Sequence, residues 1–238
     1  MILKPPKGAM LNRGHPYARV LKGHWLMNEG GGTIVNDLSG NGNTGALVAD
    51  AHFVAGKFGP AVSLDGTDDY VACGDRAGLS VTGTQASVSI WIYHSTGFSG
   101  RIFDQAATQS LSKFQIYWHG GANIIYCDVR NSVPAVGTAL EWCPSGEWVH
   151  VVGVYNGTDV RLYINGVLGT TWGPAALTGS LYPGHYGTAI GAYLATGGAP
   201  SNFWNGAVDC VTVYNYALSP VDAMNLYRSS FCVFEVDL

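Results

Sequence analysis

Charged side chains are scarce in this sequence. Only 12% of the 238 residues are Asp, Glu, Lys or Arg, about half of the usual fraction, and the formal net charge is −4. Lysine and arginine do not form a cluster anywhere along the chain. Because a protein that follows the phosphate backbone of a nucleic acid needs a basic patch or groove, this pattern argues against nucleic-acid binding.

Long apolar segments are also missing. No apolar run approaches the roughly 20 residues that a membrane-spanning helix requires, so we expect no membrane span. The segment 1–23 carries basic residues but no apolar stretch of signal-peptide length. If the chain is complete, we expect that it does not use the ordinary secretory route. A piece cut from a larger secreted protein would also lack a signal.

The cysteines include no CxxC pair, so their spacing gives no support to a zinc site. Their odd number leaves two interpretations open. Small buried thiols in a reducing compartment are favoured, and one or two disulfides formed after release from the cell are the alternative. The positions are Cys73, Cys127, Cys143, Cys210 and Cys232.

Glycine and aromatic residues are abundant, with 33 Gly, 13 Tyr, 8 Phe and 7 Trp. Short β-favouring runs such as 86–94 alternate with turn pairs, of which Asn156-Gly157 and Asn165-Gly166 are strong examples. The pattern predicts many antiparallel strands joined by tight turns. An all-β sandwich of this length commonly folds as one domain.

Only one segment has the signals of a helix. In SPVDAMNLYR, Ser219 is a preferred N-cap residue, Pro220 suits the first helical position and Asp222 lies in the first turn. We therefore predict one short C-terminal helix. The predicted organisation has three parts, which are an N-terminal arm (1–22), a domain (23–228) and a C-terminal tail (229–238).

Five segments occur in an order that is typical of one family. They are WLMNEGGGTIVNDLSGNGNTGAL, AVSLDGTDDYVACG, SVSIWIY, GEWVHVVGVYNGTDVRLYINGVL and FWNGAVDCVTVYNYALSPVDAMNLY. With them, residues 23–228 resemble the laminin-G-like jelly-roll domains of the concanavalin A-like lectin/glucanase superfamily. The resemblance implies an all-β fold of two antiparallel sheets stacked as a jelly-roll sandwich, with a concave face and a rim of loops. It also implies that the domain binds glycans or proteins, and that it holds a structural Ca²⁺, as many members do.

The sequence offers no carboxylates arranged for catalysis. Glycosidases on this superfold need two acids beside the scissile bond, and acids at alternate positions of one strand share a sheet face. No predicted strand carries Glu-x-Asp-x-Glu, and the 7 histidines are dispersed without an HxH or HxxxH pair. We therefore predict that the protein is not an enzyme.

Asp209 lies inside the apolar run GAVDCVTVY, where a carboxylate costs several kcal/mol unless it is paired or bound to a metal. The polar loop 36–45 offers side-chain oxygens of the kind that Ca²⁺ prefers. In the resembling family, the loop after the first strand and the acid of the last strand often lie close together. We therefore predict a structural Ca²⁺ that the two regions share, and the alternative is that Asp209 accepts hydrogen bonds from N–H groups of the loop. The predicted ligands are Asp37, Asn41, Asn43 and Asp209.

A second acidic turn, in LDGTDDYV, contains Asp65, Asp68 and Asp69. A further cation site is one interpretation of this cluster. Local turn chemistry, which favours Asp and Gly in β-turns, is the preferred one.

Aromatic side chains divide into two predicted groups. Trp25, Trp91 and Trp148 lie among β-branched residues within strands, so we expect them to pack in the core. Aromatic and imidazole side chains at predicted turns have fewer packing reasons to exist, and we expect them to contact sugar rings. These predicted ligand-binding residues are Trp118, His119, Trp172, Tyr182, Tyr186 and Tyr193.

Together, these observations predict a non-catalytic recognition or adhesion module on an external surface, which binds carbohydrate or a cell-surface polymer. The missing signal segment and the flanking arm and tail favour a virion surface protein, such as a capsid decoration or fibre component. Protein subunits of a larger assembly would then contact 1–22 and 229–238. Two alternatives stay open, namely a purely structural assembly protein without glycan binding and an accessory module of a secreted glycoside hydrolase.

Overall fold

The computed structural model describes residues 4–6, 9–75, 77–94, 97–133, 135–170, 175–194, 199–232 and 234. Its strands are β1 (Leu21–Trp25), β2 (Ile34–Val35), β3 (Gly45–Val48), β4 (His52–Ala55), β5 (Pro60–Asp65), β6 (Tyr70–Gly74), β7 (Ala86–Tyr93), β8 (Gly100–Thr108), β9 (Leu111–His119), β10 (Ile124–Arg130), β11 (Val136–Trp142), β12 (Trp148–Tyr155), β13 (Asp159–Ile164), β14 (Val167–Leu168), β15 (Ala175–Ala176), β16 (Gly187–Ile190) and β17 (Asn205–Tyr214). The helix α1 spans Pro220–Arg228, and short 3-10 helices span Pro16–Val20 and Ala77–Leu79.

The strands form two antiparallel sheets. One sheet has nine strands in the order β14-β13-β12-β7-β17-β5-β4, with β1 beside β17 and β15 beside β13. The other has eight strands in the order β11-β10-β9-β8-β16-β6-β3-β2. Several neighbours in space are distant in the sequence, as in the pairing of β17 with β7 and β5. The predicted all-β, two-sheet jelly-roll sandwich with one short C-terminal helix is therefore confirmed.

The main hydrophobic core lies between the two sheets. Because side chains alternate across a strand, each strand sends every second residue into this space. Phe114, Ile116 and Trp118 do so from β9, and Ile90 and Ile92 from β7. These five side chains are at most 1% exposed. Burying each of them contributes roughly 1.5–3 kcal/mol before the entropy of ordering is counted.

A second hydrophobic cluster covers the outer face of the nine-stranded sheet. It joins Val152 and Tyr163 of the sheet with Leu226 of α1 and with Leu11 and Phe234 from the two ends of the chain. Leu11 and Phe234 also form an isolated antiparallel bridge. The described parts of the arm and the tail therefore cover apolar surface of their own domain, and their contacts with other subunits stay a prediction.

The tryptophans that we expected to be packed occupy both layers. Trp25 is fully buried between the sheets. Trp91 is buried in the second cluster, where it stacks on Tyr227 of α1 at 5.7 Å between ring centroids and meets the edge of Phe58. Trp148 is half-buried against the same cluster. All three pack as predicted, but only Trp25 belongs to the core between the sheets.

The helix α1 begins as its sequence predicts. The Asp222 N–H donates to the Ser219 hydroxyl at 3.2 Å, and the Ser219 N–H donates to the Asp222 carboxylate at 2.7 Å. This reciprocal capping box satisfies two N–H groups that would otherwise lack partners. Pro220 occupies the start of the helix. The described residues include no helix with the length and apolar composition that a membrane span requires.

Replacing Ser219 by Ala is expected to lower the free energy of unfolding by about 1 kcal/mol, because the cap is lost while the helix stays packed on the sheet. Urea denaturation followed by tryptophan fluorescence measures the change. Ser219→Thr keeps the hydroxyl and should retain most of the stability. Equal midpoints for wild type and Ser219→Ala would contradict a role for this cap.

Candidate functional site

The two sheets differ in what covers their outer faces. The nine-stranded sheet lies beneath the second hydrophobic cluster, whereas the eight-stranded sheet carries partly exposed side chains along β9 and β10. On β9, for example, Gln115 and Tyr117 are half-buried and His119 is exposed, while the residues between them face the core. We call the outward side of β8 to β11 the open face. The open-face residues used below are Arg101, Asp104, Gln115, Tyr117, Tyr126, Asp128, Arg130 and Trp142.

A polar row crosses the open face. The strand register places Asp104 of β8 opposite Gln115 of β9, and Gln115 opposite Asp128 of β10. The Gln115 amide donates to the Asp128 carboxylate at 2.9 Å. The same row continues through Ala189 and Ala72, so polar side chains give way to small ones on β16 and β6.

The neighbouring row of the open face is aromatic and cationic. It contains Arg101, Tyr117 and Tyr126 on three adjacent strands. The rings of Tyr117 and Tyr126 stack at 4.6 Å between centroids with 6° between their planes. The Arg101 guanidinium lies 4.2 Å from the centroid of Tyr117 and 4.9 Å from that of Tyr193. Burial and then the charge of Asp128 raise the pKa of Tyr117, so its hydroxyl stays protonated and can donate. Because Arg101 and Tyr126 occupy the two faces of the Tyr117 ring, this row offers hydroxyl groups and ring edges to a ligand.

Several polar atoms of the open face have no hydrogen-bond partner within the described part of the chain. They are Oδ1 of Asp104, Oε1 of Gln115, Oδ1 of Asp128, Nε of Arg101 and Nε of Arg130. Buried polar groups normally have partners, because an unpaired one costs roughly 1–3 kcal/mol. These particular atoms are buried, but Arg101, Gln115, Asp128 and Arg130 are partly exposed, so the rest of each side chain offers the open face polar groups for a ligand or its bridging water molecules.

Asp104 is the most deeply buried acid of the open face, with 0% exposure. Its Oδ2 accepts the Leu194 N–H at 2.9 Å. Burial raises the pKa of Asp104 to about 6. The loop that contains Leu194 thus covers this carboxyl and keeps it from direct contact with solvent.

Small side chains leave a depression beside the polar row. It encloses about 400 Å³, within the size range of small-ligand sites, and its lining includes Tyr70, Ala72, Asp75, Tyr186 and Leu194. Ala72 belongs to the same row as Asp104, and the Leu194 backbone contacts Asp104. The depression therefore adjoins the polar row across the loop that contains Leu194.

Trp142 is an open-face residue that the sequence prediction missed. It is 55% exposed and lies opposite Ile124, next to the row of Tyr126. The sequence VGTALEW contained the information needed to predict this position. Thr138, Leu140 and Trp142 are two residues apart from one another, so they lie on the same face of the sheet. Because the Trp142 side chain is exposed on this face, its ring is available to a planar or ring-shaped ligand.

The structure contradicts the prediction that Trp118 contacts a ligand. Trp118 is 1% exposed and points into the core, where its ring contacts His94 at 3.8 Å and Trp204 at 6.5 Å between centroids. The strand β9 extends to His119, so the alternation along it sends Trp118 inward. His119, one position later, points outward and is exposed.

The remaining predicted aromatic residues have different positions. Tyr193 contacts Arg101 of the open face, and Tyr186 lines the adjoining depression. Tyr182 is half-buried, and its N–H donates to the Arg130 carbonyl at the end of β10. Trp172 lies outside the described residues.

Each of the predicted calcium ligands has hydrogen-bond or ion-pair partners of its own. Asp37 accepts hydrogen bonds from N–H groups of His24, Ser39 and Asn43 at 2.7–2.9 Å, so it organises its own loop. Asn41 donates to the Leu21 carbonyl at 2.9 Å and Asn43 donates to the Lys22 carbonyl at 2.7 Å. Their amide groups thus tie the loop to β1.

Asp209 has a partner that the sequence prediction did not consider. The Lys4 ammonium lies 2.6 Å from Oδ1 of Asp209, and both side chains are buried. The Cys210 thiol is 3.2 Å from the same oxygen. The contacts of Asp209 therefore come from the arm, from its own strand and from the Phe58 backbone, and none of those described is with the loop of Asp37. A Ca²⁺ shared by Asp209 and that loop stays a prediction.

Comparison with known proteins identifies the architecture. The Laminin_G_3 family model, described as the concanavalin A-like lectin/glucanases superfamily, matches residues 65–223. No curated protein matches the chain.

Binding domains of toxins are among the solved structures with the same fold. The binding domain of Paraclostridial Mosquitocidal Protein 1 superimposes with a TM-score of 0.68 at 14% identity, covering 91% of this chain and 53% of that one. The receptor-binding domain of botulinum neurotoxin mosaic serotype C/D has a TM-score of 0.65 at 13% identity, covering 91% and 52%. The chain thus spans about half the length of these toxin domains.

Domain 4 of AbnA, a GH43 extracellular arabinanase from Geobacillus stearothermophilus, was solved in complex with arabinotriose. It superimposes with a TM-score of 0.60 at 22% identity, covering 87% of this chain and 98% of that one. At these identities, the likeness to the toxin domains and to domain 4 shows a common fold.

Proposed function

Because the chain belongs to the concanavalin A-like lectin/glucanase superfamily, we propose that it is a non-catalytic recognition module that binds carbohydrate on its open face. The partly exposed side chains of Gln115 and Asp128 carry this proposal, because they lie in one row of the open face beside the stacked rings of Tyr117 and Tyr126. Sugar hydroxyl groups both donate and accept, so they match a surface that carries amide, carboxylate and guanidinium groups.

The ligand would lie across β8 to β11. Its hydroxyl groups would bond to the polar row and to the Tyr117 hydroxyl, and a sugar ring would stack on Trp142 at the edge. The depression beside Leu194 would hold a further sugar unit or a substituent. Domain 4 of AbnA, which covers nearly the same span and was solved with arabinotriose, supports an oligosaccharide as the ligand class. The toxin domains, which are binding and receptor-binding domains, support recognition in general.

Binding is favoured over hydrolysis by the burial of Asp104. Asp104 and Asp128 are two acids in one row, with β9 between them, so about 10 Å separates their backbone positions. Such a pair could resemble the acids of an inverting glycosidase. However, Asp104 is fully buried beneath Leu194, and a covered carboxyl group has no route to a scissile bond.

An external location accompanies the proposal, because polymers of this kind are found outside cells or on particle surfaces. A virion assembly role stays a prediction. The arm and the tail suggested it, and their described residues pack on their own sheet.

Replacing Trp142 by Ala is expected to weaken polysaccharide binding at least about tenfold, because a single exposed aromatic anchor commonly carries this much of the binding energy. Arabinan, xylan, pectin and bacterial cell-wall polymers are screened by affinity electrophoresis, and the ligand found is titrated by calorimetry. The fold should persist, since Trp142 is 55% exposed.

Tyr216→Ala is the matched control, because Tyr216 is a 39% exposed aromatic beside the arm. It should bind as the wild type does. A Gln115→Ala variant tests the polar row independently of stacking. Equal affinity of wild type, Trp142→Ala and Gln115→Ala for the ligand found would place the binding site elsewhere, and release of reducing sugar from it would contradict a non-catalytic module.

A further inference from the structure

A cavity lies between the N-terminal arm and the start of α1, beside the second hydrophobic cluster. It encloses about 350 Å³, within the size range of small-ligand sites. The arm contributes its short 3-10 helix to one side, and the segment that leads into α1 forms the other. The cavity is therefore separate from the open face, which belongs to the eight-stranded sheet. The residues that line it are His15, Pro16, Tyr17, Val20, Tyr216 and Asp222.

Asp222 gives this cavity a negative charge. One carboxylate oxygen accepts the Tyr17 hydroxyl, and the other accepts the Ser219 N–H at 2.7 Å. Burial opposes the charge, but these donors outweigh it and lower the pKa of Asp222, so the carboxylate is ionised at neutral pH. Its full charge exceeds the roughly half unit of positive charge at a helix N-terminus.

No positive side chain among the described lining residues offsets that charge, since none of them is Lys or Arg. The Nδ1 of His15 accepts the Tyr17 N–H at 3.3 Å. Because an accepting ring nitrogen carries no proton, the imidazole is neutral in this arrangement. The lining therefore has a net negative charge, which favours a cationic ligand.

Two tyrosine rings accompany the carboxylate. Tyr17 is half-buried and meets the rings of His15 and Tyr214 edge to face. Tyr216 is 39% exposed, and its ring contacts no other aromatic ring in the described part of the chain. The face of an aromatic ring is electron-rich and attracts cations. Tyr216 is thus an aromatic side chain that lines a cavity without packing on another ring.

The hydrogen bonds of Asp222 distinguish between kinds of cation. Each of its oxygens already accepts from a protein donor, so a primary ammonium would compete with Tyr17 and Ser219 for the same acceptors. A quaternary ammonium group has no N–H and needs no acceptor. Ring faces and a nearby negative charge are sufficient to bind it, as in aromatic cages.

We propose that this cavity binds a quaternary ammonium group, with Tyr17 and Tyr216 against its methyl groups and Asp222 as the counter-charge. A trimethylammonium group carried on a short chain is small enough for the cavity. The same group occurs in free choline and in the choline headgroups of lipids, so the proposal names the shared chemistry and the experiments separate the two sources.

The first experiment titrates choline into the whole chain by calorimetry. Choline should bind with a Kd of about 1 mM or tighter. Its neutral isostere 3,3-dimethylbutan-1-ol, which has carbon in place of the charged nitrogen, should bind at least about tenfold more weakly because it lacks the charge. Equal binding of both compounds would contradict a cation site, and no choline binding up to about 20 mM would overturn the proposal.

Variants of two lining residues locate the site. Tyr216→Ala should weaken choline binding about tenfold, whereas Tyr216→Phe keeps the ring face and should stay within about twofold of the wild type. Asp222→Asn keeps an acceptor for the Tyr17 hydroxyl but removes the charge, and should weaken binding at least about tenfold. Unchanged choline affinity in Tyr216→Ala would place the ligand elsewhere.

The open face supplies the matched control. Trp142→Ala should bind choline as the wild type does, just as Tyr216→Ala should keep polysaccharide binding. The two sites can therefore fail independently of each other. Loss of choline binding in Trp142→Ala would contradict a separate cavity site.

Vesicles identify the source of the group. Co-sedimentation with phosphatidylcholine but not with phosphatidylglycerol, reversed by free choline, would support the cavity as a lipid headgroup site. Binding of choline without co-sedimentation would support a soluble ligand instead. Co-sedimentation with both lipids that Tyr216→Ala leaves unchanged, in a chain that does not bind choline, would overturn the proposal.

Discussion

Replacing Lys4 by Met is expected to lower the free energy of unfolding by about 3–5 kcal/mol, because it leaves the Asp209 carboxylate buried without its counter-charge. The Lys4 ammonium lies 2.6 Å from Asp209 and also donates to the carbonyl oxygens of Met27 and Pro60. All three of its donors therefore have acceptors. Burial still raises the pKa of Asp209 although Lys4 opposes this, so the removal of Lys4 leaves a poorly solvated acid.

Urea denaturation of wild type, Lys4→Met, Asp209→Asn and the double variant measures the coupling between the two charges. The double variant should be more stable than Lys4→Met, since no unpaired charge remains. Lys57→Met is the control, because Lys57 contacts the Trp91 ring at 4.8 Å and should contribute about 1 kcal/mol or less. A loss below about 1 kcal/mol for Lys4→Met would mean that the arm does not pair with Asp209 in solution.

Local features of the fold were predictable from the sequence because their causes are local. Asn165 and Gly166 adopt positive φ angles of 51° and 78°, which suits the turn that the pair predicted. Ser219 caps the helix with the residue three positions later. In both cases, the side chains that determine the conformation are within a few residues of it.

The partner of Asp209 was not predictable in the same way. Lys4 is near the other end of the chain, and nothing in the arm marks it as the member of a buried ion pair. The sequence correctly indicated that Asp209 needs compensation, because a buried carboxylate is costly in any fold. It did not indicate which group supplies that compensation, since this depends on how the arm packs across the finished sheet.

Which residues can contact a ligand depends on how side chains alternate between the two faces of each strand. A shift of one residue moves a side chain from the core to the surface, so Trp118 and His119 have opposite environments. Nor did the sequence indicate which sheet would be covered by the arm and α1, and so which strands could form a site. The row of Asp104, Gln115 and Asp128 depends on how three strands are aligned with one another. The sequence of any one strand does not reveal that alignment.

Replacing Asp104 by Asn is expected to change how stability depends on pH. The folded-state pKa of Asp104 is about 6, above the ordinary value of 3.8. The folded protein therefore holds this proton more tightly than the unfolded chain does. The stabilisation from protonated Asp104 is fully present below about pH 4 and is lost as the pH rises through about 6, with a total of at most about 3 kcal/mol.

Asp104→Asn removes this titration, because an amide stays neutral at every pH used. Relative to the wild type, the variant should gain stability as the pH rises from 4 to 7, as measured by urea denaturation at several pH values. Asp50→Asn changes an exposed acid and should follow the wild type. Parallel pH profiles for wild type and Asp104→Asn would show that Asp104 titrates normally.

A buried carboxylate that lowers stability at neutral pH calls for a functional reason, because a neutral side chain of the same shape would avoid the cost. Asp104 lies in the polar row of the open face, and its Oδ1 has no hydrogen-bond partner among the described residues. A charged acceptor forms stronger hydrogen bonds than an amide does. Asp104→Asn should therefore stabilise the free protein at pH 7 while weakening its affinity for the polysaccharide through the Gln115 side chain opposite it, because Leu194 covers Asp104 itself, and a gain in both would show that Asp104 does not support the polar row.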